Sequence, residues 1–205
     1  MHPAATPAFW HERWTSNQIG FHQATTNELL SRHWHLDRGR VIVPLCGASR
    51  DLAWLAARGH SVVGVEFSEL ACARFFEEHE LLPEREGNRW RAGAVTLVQG
   101  DFFAFSEPGA FDAVYDRAAL IALPPGVRPR YVDHLRHLLR APRGLLIGFE
   151  YDQQKRDGPP FAVMASEVRA LWPEAVEVER RPVDEERWRA LGGASEVAWR
   201  ITAAA

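Results

Sequence analysis

Three ionisable side chains stand where short apolar runs end: Glu66 after residues 61–65, Asp101 after residues 95–98, and Arg117 after residues 111–115. If the runs are parallel strands, all three groups gather at one edge, where open α/β sheets bind their ligands. A carboxylate at the end of a second strand can accept both hydroxyls of a ribose. Each such charge-assisted hydrogen bond is worth about 1.5–3 kcal/mol. Asp101 is placed to accept from an adenine amino group, and as a turn or N-cap residue it has an equal claim to a structural role. Arg117 would put a cation beside the reacting group, unless Asp116 neutralises it in a salt bridge.

The elements that must position these groups begin with RVIVPLCGASRDLAWLAARGHSVVGVEFSE, residues 40–69. Val41, Ile42 and Val43 form a β-branched run, residues 44–47 break it, and Leu52, Ala53, Leu55 and Ala56 then recur at helical spacing up to Gly59. Residues 61–65 supply the next strand, so the stretch is one right-handed βαβ unit with Glu66 nineteen positions after Gly47. Dinucleotides need a G-x-G-x-x-G turn to bring backbone N–H groups onto a pyrophosphate. Leu45-Cys46-Gly47-Ala48-Ser49 offers one glycine. The turn therefore favours S-adenosylmethionine, an adenosine without phosphate, over a nicotinamide or flavin cofactor.

Ahead of this unit lies an aromatic segment with Phe9, Trp10, Trp14, Phe21 and Trp34. Trp10 and Trp14 share a helical face, which serves either to pack on the sheet or to cover its carboxyl edge as a lid. An aromatic face there can also hold a sulfonium by cation–π attraction, about 0.5–2 kcal/mol. After Glu66, Ser68 caps a helix running to Pro83. Residues 84–94 read as an exposed loop and 95–98 as the third strand; 111–115 and 143–151 supply the fourth and fifth, separated by a helix over 128–140 with a solvated basic face. A helix over 162–172 follows the Gly-Pro-Pro loop at 158–160, and alternating residues 175–183 and 196–201 form a terminal antiparallel pair around a short helix at 184–191.

Composition bounds the function. With 24 Lys plus Arg against 27 Asp plus Glu, a net charge of −3 and a pI near 6.3, the chain lacks the basic surface that nucleic acid demands. No run approaches eighteen apolar residues and the start carries no signal-peptide pattern, so membrane insertion and secretion are not expected. Cys46 and Cys72 read as reduced core residues of a cytoplasmic protein. No metal is expected: His33 and His35 are two apart, and neither H-E-x-x-H nor C-x-x-C occurs. A G-x-S-x-G hydrolase elbow is likewise missing.

FWHERWTSNQIGFHQ, VPLCGASRDLAWLAARGHSVVGVEFSE, YDRAALIALPP and FEYDQQKRDGPPF together resemble the bacterial branch of the thiopurine S-methyltransferase family, over most of the chain to about residue 162. The resemblance implies a Rossmann-like class I methyltransferase, an α/β fold with seven strands, six parallel and the last antiparallel, helices on both faces, and one domain over 1–205 with a lid segment at 1–36. It implies cofactor contacts at Trp10, Leu45, Glu66, Gly100, Asp101 and Arg117, with Arg117 also catalytic, and substrate contacts at Phe21 and, by a looser match, Arg189. Ala48 stands where the family's PLCGKS commonly has Lys. The expected reaction moves a methyl group from S-adenosylmethionine to sulfur, or selenium or tellurium, of a small molecule, and the expected state is a monomer. The rivals are a nicotinamide-dependent oxidoreductase and a non-catalytic S-adenosylmethionine-binding regulator.

Overall fold

The computed structural model describes residues 6–203; the first five residues of the expected lid segment lie outside that range. Helices α1 (Pro7–Thr15) and α2 (Glu28–His33) precede an alternating core of β1 (Arg40–Pro44), α3 (Asp51–Ala57), β2 (Ser61–Glu66) and α4 (Glu69–Glu78). A hairpin, β3 (Glu84–Glu86) and β4 (Arg89–Ala92), leads into β5 (Val95–Gln99), β6 (Ala113–Arg117), α5 (Arg128–Leu138) and β7 (Arg143–Tyr151). The remainder is α6 (Ala165–Leu171), β8 (Ala175–Pro182), α7 (Glu186–Arg189) and β9 (Ala194–Thr202). All strands join one nine-stranded sheet in the order β3-β4-β5-β2-β1-β6-β7-β9-β8.

Neighbours β5, β2, β1, β6 and β7 pair in parallel, and β9 is antiparallel to both β7 and β8. These seven strands therefore have the expected directions, six one way and the last reversed. The other two correct the sequence reading, because residues 84–92 form a hairpin rather than a loop. Strand β4 pairs with β5 from Arg89↔Val98 to Ala92↔Val95, and Trp90 stacks on Phe76 with ring centroids 6.2 Å apart. The helix from Ser68 also ends early, at Glu78; Glu80 takes a left-handed φ of 54° and Leu82 lies beyond it, 96 % exposed. Strand β6 runs two residues further than its apolar run, because Asp116 and Arg117 pair with Leu146 and Ile147 of β7.

Successive strand residues point to opposite faces, and the core divides accordingly. Ile42, Val63, Val65, Val114 and Leu146 pack with Tyr131, Leu135 and Leu138 of α5 and Val168 of α6. Val41, Val43, Val62, Leu145 and Ile147 pack with Leu29 and Leu30 of α2, Leu52 and Leu55 of α3, and Phe75 and Phe76 of α4. Each fully buried Leu or Phe contributes about 1.5–3 kcal/mol of transfer free energy. At Gly64 the layers approach so closely that a Cβ would stand 2.6 Å from Cys46 Sγ and from Leu97 Cδ2.

Candidate active site

The order of successive strands reverses between the parallel neighbours β1 and β6: β2 and β5 lie on one side, β7 and β9 on the other. Loops leaving the carboxyl ends of β1 and β6 diverge there and open a crevice. Each of these two loops holds a non-glycine residue in the left-handed region, Leu45 at φ 46° after β1 and Ala118 at φ 67° after β6. Such backbone costs about 1–2 kcal/mol and persists only where the surroundings enforce it.

Glu66 enforces the first turn. It ends β2 with its side chain 6 % exposed, and its Oε2 accepts from Gly47 N at 2.8 Å while Oε1 accepts from Ser68 N at 2.7 Å. Burial pushes the carboxyl upward, against the backbone N–H groups of Ser68, Gly47 and Phe67. An ionised carboxylate has about four acceptor positions, so these backbone groups do not use up its capacity. Gly47 itself is left-handed at φ 55°, and a Cβ there would stand 3.0 Å from Trp14 Cζ2. Ala48, 1 % exposed, shares the apolar cluster of Trp14 and Cys46; this position is core here rather than a place for a cation. Burial, then the charge of Glu66, holds the Cys46 thiol well above its ordinary value, and burial pushes Cys72 up to about 12. Neither is a nucleophile.

Gly100 N donates to Glu66 O at 2.9 Å, which holds the end of β5 beside the end of β2. Asp101 is exposed and its Oδ1 caps the turn at residues 102–104 by accepting from Phe103 N at 2.9 Å. The turn role is thus realised, and Oδ2 is not used by it. Phe67, exposed directly after Glu66, offers an aromatic surface that sequence patterning did not single out.

Across the crevice, Tyr115 and Arg117 share one face of β6 and Asp116 the other. Tyr115 OH donates to Asp51 Oδ2 at 2.7 Å, and Asp51 Oδ1 accepts from Asn27 N at 2.8 Å, so α3, β6 and the N-terminal segment meet at one buried carboxylate. Arg117 Nη1 donates to Phe21 O at 3.0 Å. Asp116 does not neutralise it: Asp116 accepts from Tyr131 OH at 2.7 Å and Leu120 N at 3.1 Å, and burial pushes its carboxyl up to about 6. Phe21 stands edge-on to Trp10 and Trp14, with centroids 5.7 and 5.6 Å away, while His22 meets Glu78 at 3.2 Å. Trp10, Trp14, Phe21 and Arg117 therefore come together over the turn of Leu45 and Gly47.

Arg189 does not join them. It is 65 % exposed and pairs with Asp184 at 3.0 Å. Its neighbour Arg187 is nearer, since a Cβ at Gly20 would stand 4.0 Å from Arg187 Nη1. Among the described residues no group of three or more His, Cys, Asp or Glu is placed to hold a metal, and no helix is long and apolar enough to cross a membrane.

The site fits adenosine better than a dinucleotide. A pyrophosphate needs free backbone N–H groups in a glycine-rich turn, whereas this turn has one glycine and its N–H is already bonded to Glu66. Comparison with known proteins agrees. The family model for thiopurine S-methyltransferase matches residues 5–199. A thiopurine S-methyltransferase of Pseudomonas fluorescens strain Pf0-1 is 51 % identical over 175 residues, 80 % of this chain and 81 % of that protein. One from Pseudomonas aeruginosa strain UCBPP-PA14 is 48 % identical over 197 residues, 89 % and 90 % respectively. In fold, the chain is similar to Burkholderia thailandensis 1,6-didemethyltoxoflavin-N1-methyltransferase with bound S-adenosylhomocysteine (TM-score 0.65, 20 % identity, 96 % of this chain and 87 % of that one). It is also similar to magnesium protoporphyrin IX methyltransferase from Synechocystis PCC 6803 (TM-score 0.65, 13 % identity, 96 % and 99 %). The nicotinamide alternative is thereby excluded: the protein is an S-adenosylmethionine-dependent methyltransferase. With family motifs, strand order and turn chemistry in agreement, this chain belongs to the thiopurine S-methyltransferase family.

Proposed function

We propose that this enzyme methylates the sulfur of a small thiol or thione, thiopurine-like in shape, with selenium and tellurium compounds as chemically similar acceptors. The observation that carries this reading is the Arg117 guanidinium at the end of β6, held 3.0 Å from the backbone carbonyl of Phe21, whose ring stands edge-on to Trp10. Arginine keeps its charge at every working pH and lowers the pKa of a nearby thiol, favouring the thiolate. A thiol partly ionised near neutrality needs little general-base help. The names of the relatives support the same acceptor class.

Glu66, Leu45, Gly100, Asp101 and Trp10 are the residues that hold the cofactor, which when bound supplies an electrophilic methyl on a sulfonium. Arg117 borders both halves of the crevice. The chain's contribution is orientation and exclusion of water, and orientation alone reaches about 7–11 kcal/mol in well-aligned systems. Residues 6–36, the described part of the expected 1–36 segment, act as the lid of a single-domain protein, latched at Gly47 by Trp14, at Arg117 by Phe21, and at Glu78 by His22. Phe21 lines the acceptor side, and Arg189 or its neighbour Arg187 contributes to the rim. The enzyme works as a cytoplasmic monomer without metal, nucleic acid or membrane.

A labelled-methyl assay against 6-mercaptopurine, aryl thiols, and selenium and tellurium compounds tests this. Transfer to a thiol is expected. Cofactor binding in calorimetry without transfer to any of them would overturn this acceptor class.

A further inference from the structure

We propose that Arg128 is the positioning residue of the acceptor pocket: its buried guanidinium stitches together the loops that leave β6 and β7. This rests on the acceptor-side reading above. Arg128 opens α5 and is 0 % exposed. Its Nε donates to Leu123 O at 3.0 Å, and Nη1 donates to Ala162 O at 3.1 Å and to Glu167 Oε2 at 2.7 Å. Leu123 lies in the loop after β6, six residues beyond Arg117; Ala162 lies in the loop after β7. Both loops leave the carboxyl edge on the side of the crevice opposite Glu66.

The same two loops meet at one further point, and the β7 loop is braced within itself. Phe161 N donates to Ile121 O at 2.7 Å. Ala162 N donates to Gln153 Oε1 at 2.7 Å, Gln153 Nε2 to Tyr151 OH at 3.0 Å, and Tyr151 OH to Pro160 O at 2.7 Å. Behind the stitch, Phe149, Tyr151, Ala162 and Trp188 form a separate apolar cluster that Ile121 packs against. One guanidinium thus fixes the distance between Arg117's loop and an aromatic wall.

Stability alone does not account for a charge at this place. Burying an ion pair gains little over a well-packed apolar residue, because desolvation offsets the attraction. Arg128 Nη2 is moreover buried without a partner among the described residues, a further cost. What an apolar residue cannot do is bond two carbonyls from separate loops at fixed angles, and a planar fork of donors can.

The test uses Arg128→Met, Arg128→Lys and Gln153→Leu in the full chain, with S-adenosylmethionine affinity and stoichiometry from calorimetry and steady-state methyl transfer to 6-mercaptopurine. Arg128→Met should bind cofactor stoichiometrically within threefold of wild-type affinity while KM for the thiol rises tenfold or more. Arg128→Lys should recover part of that loss. Combining Gln153→Leu with Arg128→Lys should cost less than the product of their separate effects, since both cut one network. A thiol KM within twofold of wild type in cofactor-binding Arg128→Met overturns the proposal, as does a parallel loss of cofactor affinity. Should Arg128→Met fail to fold, Arg128→Lys and Gln153→Leu decide by the same criteria. If the wild-type protein methylates no thiol, the acceptor reading and this proposal fall together; wild-type turnover with insensitive variants removes this proposal alone.

Discussion

The two sides of the crevice are built differently. On the cofactor side, one carboxylate fixes the turn through bonds to Gly47 N and Ser68 N, partners at most nineteen residues from Glu66. On the acceptor side, Arg128 reaches Glu167 from 39 residues away, and Arg117, which borders both halves, reaches Phe21 from 96. The first half is assembled by a βαβ unit that carries its own geometry; the second exists only once distant loops have met. If the two halves work separately, altering the acceptor side should leave the cofactor grip intact.

Substitutions can break that separation. Trp14 belongs to both halves, since it covers Gly47 and abuts Phe21. Trp14→Ala should cost about 3–5 kcal/mol of stability, read as a lowered denaturant midpoint, and should weaken cofactor and acceptor together. Glu66→Ala should act on one side only. Losing the ribose acceptor and the bonds that hold the turn should weaken S-adenosylmethionine binding by about 3 kcal/mol, more than a hundredfold, in a folded protein; unchanged affinity in calorimetry would remove Glu66 from the site. Arg117→Lys keeps the charge but loses the fork that holds Phe21 O. The expected result is about a tenfold fall in kcat/KM for the thiol with cofactor affinity within threefold, and equal losses of both would deny that the halves are separable.

This contrast also explains what the sequence revealed. Glu66 was legible because strand, turn, helix and strand follow one another within thirty residues, and periodicity reports local order. The hairpin at 84–92 was missed because its strands are nearly all charged, although Gly87-Asn88 between Glu86 and Arg89 is a two-residue hairpin signal. Arg128 was read as part of a solvated basic face. Nothing within α5 distinguishes it from Arg130, which is exposed; its partners Ala162 and Glu167 lie on the next loop and helix. The pairing of Asp116 with Tyr131 rather than Arg117 follows from strand alternation once β6 is known to extend through Arg117.

Asp116 gives the sharpest check on how the β6 turn is held. Burial raises its carboxyl from 3.8 to about 6, against the bonds from Tyr131, Leu120 and Ala119. In the window between these values the folded protein binds the proton more tightly than the unfolded chain does. Ionising Asp116 therefore lowers stability as pH rises through that window, and its contribution is most favourable below it. Asp116→Asn cannot ionise. It retains a carbonyl for Leu120 N and sets an NH2 opposite the Tyr131 hydroxyl, which can accept. Relative to wild type, its unfolding free energy should be constant below about pH 4, gain about 3 kcal/mol between pH 4 and 6, and be constant above. Glu66, whose carboxyl burial also raises, is common to both proteins and cancels in the difference. A difference independent of pH would mean that the buried turn after β6 does not sense the charge of Asp116, and that Ala118 is held in its left-handed conformation by packing alone.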